Sequence, residues 1–447
     1  MTPSSLSRLD NISKHPLIAK GVKKLHVDLY YFDLVLAHNL QAFAEYSAEN
    51  MLEWNHRMES MINYEMKYQG RSEEEVLETI RLGRAAQTAW EGIMDDSPDD
   101  PSNDEDVKFR MILRKAHAEY NRLFVEQETL LKDGGFESAV ATAMSRIPVA
   151  IRLEMKDDTL WKIEEYTRSG ELRYHDFGER FLVRRLTLPI NFEEARSRQL
   201  VGPPSGLLLK LPVAIHKAGV SLTHLDIKVS PLLDYSAFAS SAADLRALTA
   251  SAQTLKHFSF EHRGKESTLF PIRDQEDVKE GRKKLLKAFL DTPSLEHISM
   301  DFPTLWDDEN QPSYNFASIL YFRTWENLGH LSTNYFPLQL EQLEQFANKL
   351  HPIIRFVYMS STRLLSGTWA EALDLLRQAS LPRNHLEKRY LMSIRAPRGG
   401  ELDTMSREEI SAIFEETKEK GWRERSLAEK YMSGLIEKNH LRDFEGS

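Results

Sequence analysis

The segment Leu222-Thr223-His224-Leu225-Asp226-Ile227 returns as Leu255-Lys256-His257-Phe258-Ser259-Phe260, Leu295-Glu296-His297-Ile298-Ser299-Met300, Leu328-Gly329-His330-Leu331-Ser332 and a looser Ile354-Arg355-Phe356-Val357-Tyr358-Met359. The steps between copies are 33, 40, 33 and 26 residues. Each copy alternates apolar and polar side chains, the period-two pattern of a short strand. Helical patterns precede them at Ser205–Lys217, Ala242–Ala252, Arg282–Leu290 and Leu338–Leu350, the last with Leu340, Leu343, Phe346 and Leu350 in one stripe. Parallel strands need a crossover of a dozen or more residues, and a helix of about 10 residues with two turns fits these steps. A single unit cannot bury both its strand leucines and its helix stripe; stacked units can.

The pattern extends in both directions. A helix at Ser138–Arg146 precedes an apolar run at Val149–Met155, and one at Trp369–Gln378, capped by Thr368 and Glu371, precedes Tyr390–Ile394. The expected fold is therefore α/β: an irregular leucine-rich-repeat-like solenoid with parallel strands and outer helices, plus an N-terminal helical insertion. Residues 1–31 form an entry segment with a first strand at Val22–Leu29, and residues 136–400 the repeat array. Residues 32–135 form the insertion, read as a long helix from Phe32 to Tyr68, a second from Ser72 towards Met94 with a Ser72/Glu75 capping box, and a third from Val107 to Lys132. Met51, Trp54, Met58 and Met61 lie on one face of the first and read as a packing stripe. Residues 401–447 form a C-terminal helical cap, with helices from Ser406 to the Gly421 stop and from Leu427 to Lys438.

Composition excludes several classes of function. The 447 residues carry 58 basic and 68 acidic side chains, a net charge of -10, which disfavours a nucleic-acid partner. The basic run Arg282-Lys283-Lys284 reads as the solvated face of a helix. There is no cysteine, which removes disulfides, thiolate metal sites and a thiol nucleophile and fits a cytoplasmic or nuclear location. No apolar run reaches the ~18 residues of a membrane span, so no membrane partner is expected. The acidic stretch 95–106, interrupted by Pro98 and Pro101, reads as a solvated loop; for a calcium loop its sixth and twelfth places would need Gly and Glu, and they hold Asp100 and Asp106. Asp176-Phe177-Gly178 matches the kinase metal-binding tripeptide, but the other kinase signatures are missing. Glu164 and Glu165 are adjacent and diverge, so they do not flank a substrate. No catalytic motif and no cofactor-binding motif is found.

The candidate functional residues follow from strand geometry. If Leu225 and Ile227 face the helices, alternate side chains face the open, concave side. The first column is then His224, His257, His297, His330 and Phe356; the second Asp226, Ser259, Ser299, Ser332 and Tyr358; the third Lys228, Glu261, Asp301, Asn334 and Ser360. Strands about 4.8 Å apart bring the imidazoles within reach of a shared metal, but zinc prefers converging ligands to a linear ladder, so no metal is expected. Stacked imidazoles repel once charged, and their pKa values should fall.

The segment Ile12–Leu25, the stretch Tyr120-Asn-Arg-Leu-Phe-Val-Glu-Gln127 and the repeated strands together resemble fungal F-box proteins with degenerate leucine-rich repeats. In that family the F-box docks the adaptor of a cullin-RING ubiquitin ligase and the repeats recruit the substrate. The resemblance implies a non-enzymatic protein-interaction module, a substrate-recognition part of a ubiquitin ligase, with a protein partner at the columns above. No F-box motif precedes Ser7, so an adaptor is implied as partner only where an F-box is supplied elsewhere. The alternative is a hydrolase or transferase whose motif-free site sits on the concave face.

Overall fold

A computed structural model describes residues 1–69, 72–94, 104–147, 151–157, 178–200, 202, 204–230, 241–262, 276–302, 318–384, 391–415, 417–419 and 422–443. The chain divides into two compact units. One comprises Met1–Arg8, Asp28–Phe136 and Asp157–Pro204, the other Leu9–Val27, Glu137–Lys156 and Ser205–Ser447.

The first unit is helical. The region expected as one helix from Phe32 to Tyr68 is three, Leu34–His38, Leu40–Ser60 and Ile62–Gln69. Side-chain competition for backbone donors explains the first break: Asp33 accepts from the amides of Val35 and Leu36, and Asn39 from those of Gln41 and Ala42, so each starts its own helix. Met51, Trp54 and Met58 are buried, a packed face as the sequence suggests. Their helix crosses Glu73–Met94 at Gly83, where a Cβ would lie 2.2 Å from Asn55 Oδ1. The Ser72/Glu75 capping box is formed. The next helix spans Asp104–Leu131, three residues earlier than expected, because Asp104, Glu105 and Asp106 stabilise a first turn through the helix dipole. The rest of the acidic stretch, 95–103, lies outside the described residues. Gln127, buried in an otherwise apolar stripe, accepts from the Phe32 amide at 2.9 Å and donates to the Tyr30 carbonyl at 3.1 Å. Tyr120 likewise accepts from the Asp33 amide at 2.9 Å.

The second unit holds an eight-stranded, all-parallel sheet. Its strands are β1 (Lys24–Asp28), β2 (Arg152–Lys156), β3 (His224–Val229), β4 (His257–His262), β5 (His297–Asp301), β6 (His330–Asn334), β8 (Phe356–Ser360) and β10 (Leu391–Arg395), each beside its neighbour in chain order. Between β6 and β8 lies the short strand β7 (Pro337–Gln339); β9 (Arg363–Ser366) and β11 (Arg398–Gly399) follow β8 and β10, and these three make a second parallel sheet. The helices Leu207–Lys217, Ala242–Ala252, Glu276–Leu290, Ser318–Tyr321, Leu340–Lys349 and Trp369–Asn384 pack on one another in sequence order. Strand side chains alternate between buried and half-buried from β3 to β8, with His297 exposed. Leu225, Phe258, Ile298, Leu331 and Val357 occupy one buried row, and Ile227, Phe260, Met300 and Met359 another, interrupted only by Thr333.

Register is locked at the strand entries by a repeated device. The carbonyls of Ile151, Thr223, Lys256, Glu296 and Gly329 each accept from two consecutive amides of the next strand, at 2.8 to 3.1 Å. Because a one-residue slip would turn every side chain to the other face, this fixes which residues are buried.

Several expectations change here. Arg282 is 2 % exposed, not solvated: it stands three, four and seven residues before Leu285, Leu286 and Phe289, hence on the buried stripe of its helix, and only Lys284 of the basic run is fully exposed. The helix after Ser406 ends at Phe414, and β12 (Thr417–Glu419) and β13 (Trp422–Glu424) pair antiparallel where it was expected to continue to Gly421. The last helix stops at Met432, not Lys438, because Gly434 takes the left-handed conformation (φ 76°) that closes a helix end. Leu338 is part of β7, and the helix begins at Leu340. Among the described residues no helix is long and apolar enough to cross a membrane.

Candidate interaction surface

The half-buried face of the sheet carries the columns read from the sequence. Parallel register aligns His224, His257, His297, His330 and Phe356; then Asp226, Ser259, Ser299, Ser332 and Tyr358; then Lys228, Glu261, Asp301, Asn334 and Ser360. The columns are longer than the repeat suggested. They begin at Arg152, Glu154 and Lys156 on β2 and end at Leu391, Ser393 and Arg395 on β10. Those flanking strands lack the leucine-histidine signature, so only their alternation could have marked them.

The first column is a stack of rings. His224 and His257 lie 4.0 Å apart between centroids and 8° from parallel, His257 and His297 4.2 Å and 12°, His297 and His330 5.4 Å and 24°. Phe356 closes the stack 4.5 Å from His330. Partial burial, reinforced by like-charged neighbours, lowers the pKa values of His224, His257 and His330, that of His257 to about 4. These three imidazoles are therefore neutral at pH 7.

The β1–β3 end is ionic. Glu154 is buried and binds Lys24 Nζ at 3.0 Å, Lys228 Nζ at 3.4 Å and His26 Nδ1. Burial by itself would raise its pKa, but these three groups outweigh it and hold the carboxyl below its ordinary value. Its register partner Asp226 moves the other way, raised by burial and by the Glu154 charge against the pull of Lys24 and Lys228. Lys228 also approaches Glu261 at 3.9 Å. Lys24, His26 and Glu154 were missed because β1 carries no sign of which strand it joins, and the run Val149–Met155, though read as part of the array, lacks the repeated signature that aligns its residues with the columns.

The arrangement bears on two chemistries. The donor atoms of His257, Glu296 and His297 lie within 4.8 Å of one another. An imidazole lone pair lies in its ring plane, and rings only 12° from parallel direct theirs side by side, not to one point; Glu296 is besides held by Lys256 at 2.7 Å. The ladder is thus not preformed for a metal. Along β4 and β5 the order is His257-Ser259-Glu261 and His297-Ser299-Asp301. Serine stands between the imidazole and the acid, whereas nucleophile activation needs the imidazole in the middle. Elsewhere, Asp176, Phe177, Glu164 and Glu165 lie outside the described residues, and Gly178 precedes the helix Glu179–Leu186.

Compared with protein-family models, with curated proteins and with solved structures, the chain matches none of them.

Proposed function

We propose that this chain is a protein-interaction module, an irregular leucine-rich-repeat-like solenoid whose open sheet face receives a protein partner. The observation that carries the reading is the unbroken register of that face from β2 to β10, which turns scattered polar residues into three columns. The ladder offers ring edges, the middle column hydroxyls from Ser259, Ser299 and Ser332, and the third column the charges of Lys228, Glu261 and Asp301. Surfaces on rigid strands are suited to recognition because their side chains lose little freedom on binding. With the resemblance to F-box proteins, the partner would be a substrate for ubiquitination, taken up in the cytoplasm or nucleus.

A second reading, a hydrolase or transferase on the same face, draws on Glu154 and Asp226, adjacent carboxyls whose pKa values move in opposite directions. Against it, Glu154 is bound by two lysines and an imidazole and is poorly placed to act as base or nucleophile.

The test is affinity capture from the native cell with the unaltered chain and with Lys228→Glu, Glu261→Lys and Asp301→Lys combined. The proposal expects a defined set of proteins to be lost with the altered face. Recovery of the same set by both would overturn it.

A further inference from the structure

We propose that the imidazole ladder makes the open face proton-responsive, adding cationic charge on alternate rungs in acid to the fixed charges of the third column. This deepens the reading of that face as a recognition surface, by assigning it a regulation, and rests on that reading for its use.

Three successive ring separations of 4.0, 4.2 and 5.4 Å leave no room for water between the tighter pairs, and a proton on one ring meets the next ring face to face. Two adjacent imidazolium ions at such a distance repel strongly, so the second proton goes to a rung farther away. The backbone cannot relieve this by sliding, because each strand entry is held by paired amides on one carbonyl.

Charged groups around the ladder act on its protonation in both directions. On β2, Arg152 stands in register with His224 and opposes its protonation. Phe356 on β8 is neutral. At the strand entries Glu296, whose carboxylate lies within 4.8 Å of the His257 and His297 nitrogens, favours charge on His224 and His257, while Lys256, paired with Glu296 at 2.7 Å, opposes it on His224. Asp226, on the strand of His224 and in the second column, interacts with His257. Thr223 Oγ1 lies 2.8 Å from His224 Nδ1 and ties one ring edge without adding charge.

The imidazole Cε1 resonances of the full chain, followed by NMR from pH 8 to pH 4, test the proposal without any partner. Expected is a titration of the ladder spread over more than one pH unit, with His257 reaching its midpoint near 4. His257→Phe keeps an aromatic rung that cannot charge. In that variant the proton affinity of His224 should rise at least twofold. Should His257→Phe disturb folding, His224→Gln removes an end rung and should shift His257 in the same sense. Midpoints of His224, His257 and His330 all near the ordinary value of about 6.5, with those that remain unchanged by either substitution, would overturn the proposal. The result stands apart from partner capture: a ladder that titrates as expected in a chain whose face variants lose no partner would reject the recognition reading and keep the proton response.

Discussion

The two halves of the large sheet solve the same problem differently. From β2 to β6 the open face is polar, with the ion cluster around Glu154, the stacked imidazoles and the serine column. From β6 to β10 it turns aromatic, with Phe356 on the last histidine and Arg395 above the Tyr358 ring at 5.7 Å. The strand exits differ as well. β6, β8 and β10 each end at a residue in the left-handed region, Tyr335 (φ 54°), Ser361 (φ 48°) and Ala396 (φ 44°), after which the chain turns into β7, β9 or β11. Non-glycine residues tolerate such angles at a cost of about 1–2 kcal/mol each, here offset by ladder bonds such as Tyr335 N to Ser360 O and Ser361 N to Arg395 O, at 2.9 and 2.8 Å. The comparison teaches that one repeated strand can be held by side-chain stacking on its face or by a second sheet at its exit.

The largest expected effect breaks the second half. Gly399, at φ 81°, has the Leu364 carbonyl oxygen 2.1 Å from where a Cβ would stand. Gly399→Ala should cost about 3 kcal/mol, since it adds a backbone clash to left-handed strain. The matched control in the first half is Gly219→Ala. Its φ is 82° but nothing lies within 4 Å of the added carbon, so strain without a clash should cost about 1 kcal/mol. Denaturant unfolding of both variants checks the difference; equal losses would remove the special role given to the β9–β11 contact.

The next effect tests the ionic end of the first half. Glu154→Ala leaves Lys24, His26 and Lys228 crowded without their shared anion. Because those partners remain partly exposed, about 1–2 kcal/mol should be lost, less than for a fully buried pair. Lys24→Ala, which leaves Glu154 two partners, should cost less. A larger loss for Lys24→Ala would contradict the assignment of Glu154 as the hub.

The smallest effect is a pH slope. His224, His257 and His330 have lowered pKa values in the folded chain, so the unfolded chain binds more protons as pH falls. The ladder therefore costs nothing above about pH 6.5, and stability should decline progressively from there towards pH 4. His257→Phe should flatten that decline in thermal melts taken across the range. A steeper decline in the variant would show that the imidazole stack is not its source.

Much of the large sheet was legible in the sequence, and the reason is physical. A strand buried on one face needs alternation, and repetition of Leu-x-His-apolar at crossover length points to parallel neighbours in register. The columns followed from that arithmetic. The rest depends on long-range pairing. Val149–Met155 reads as one more strand of the array but without the signature that sets its register, and nothing in Lys24–Asp28 says which strand it joins, so the cluster at Glu154 stayed hidden. The second sheet was missed because three of its turns use Tyr335, Ser361 and Ala396 where a left-handed corner would be sought at glycine or asparagine. Arg282 was misjudged by its charge although its helical position marked it as inward.

The central claim is that partners meet the open face and not the helix layer. The chain has no cysteine, so single cysteines carrying a photoreactive group can be placed at Ser259 and Ser299 on the open face and at Lys217 and Lys284 on the helices. Photocrosslinking in native extract should join the captured proteins to the two strand positions and leave the helix positions unreacted. Crosslinks that form at Lys217 or Lys284 and fail at Ser259 and Ser299 would contradict the account.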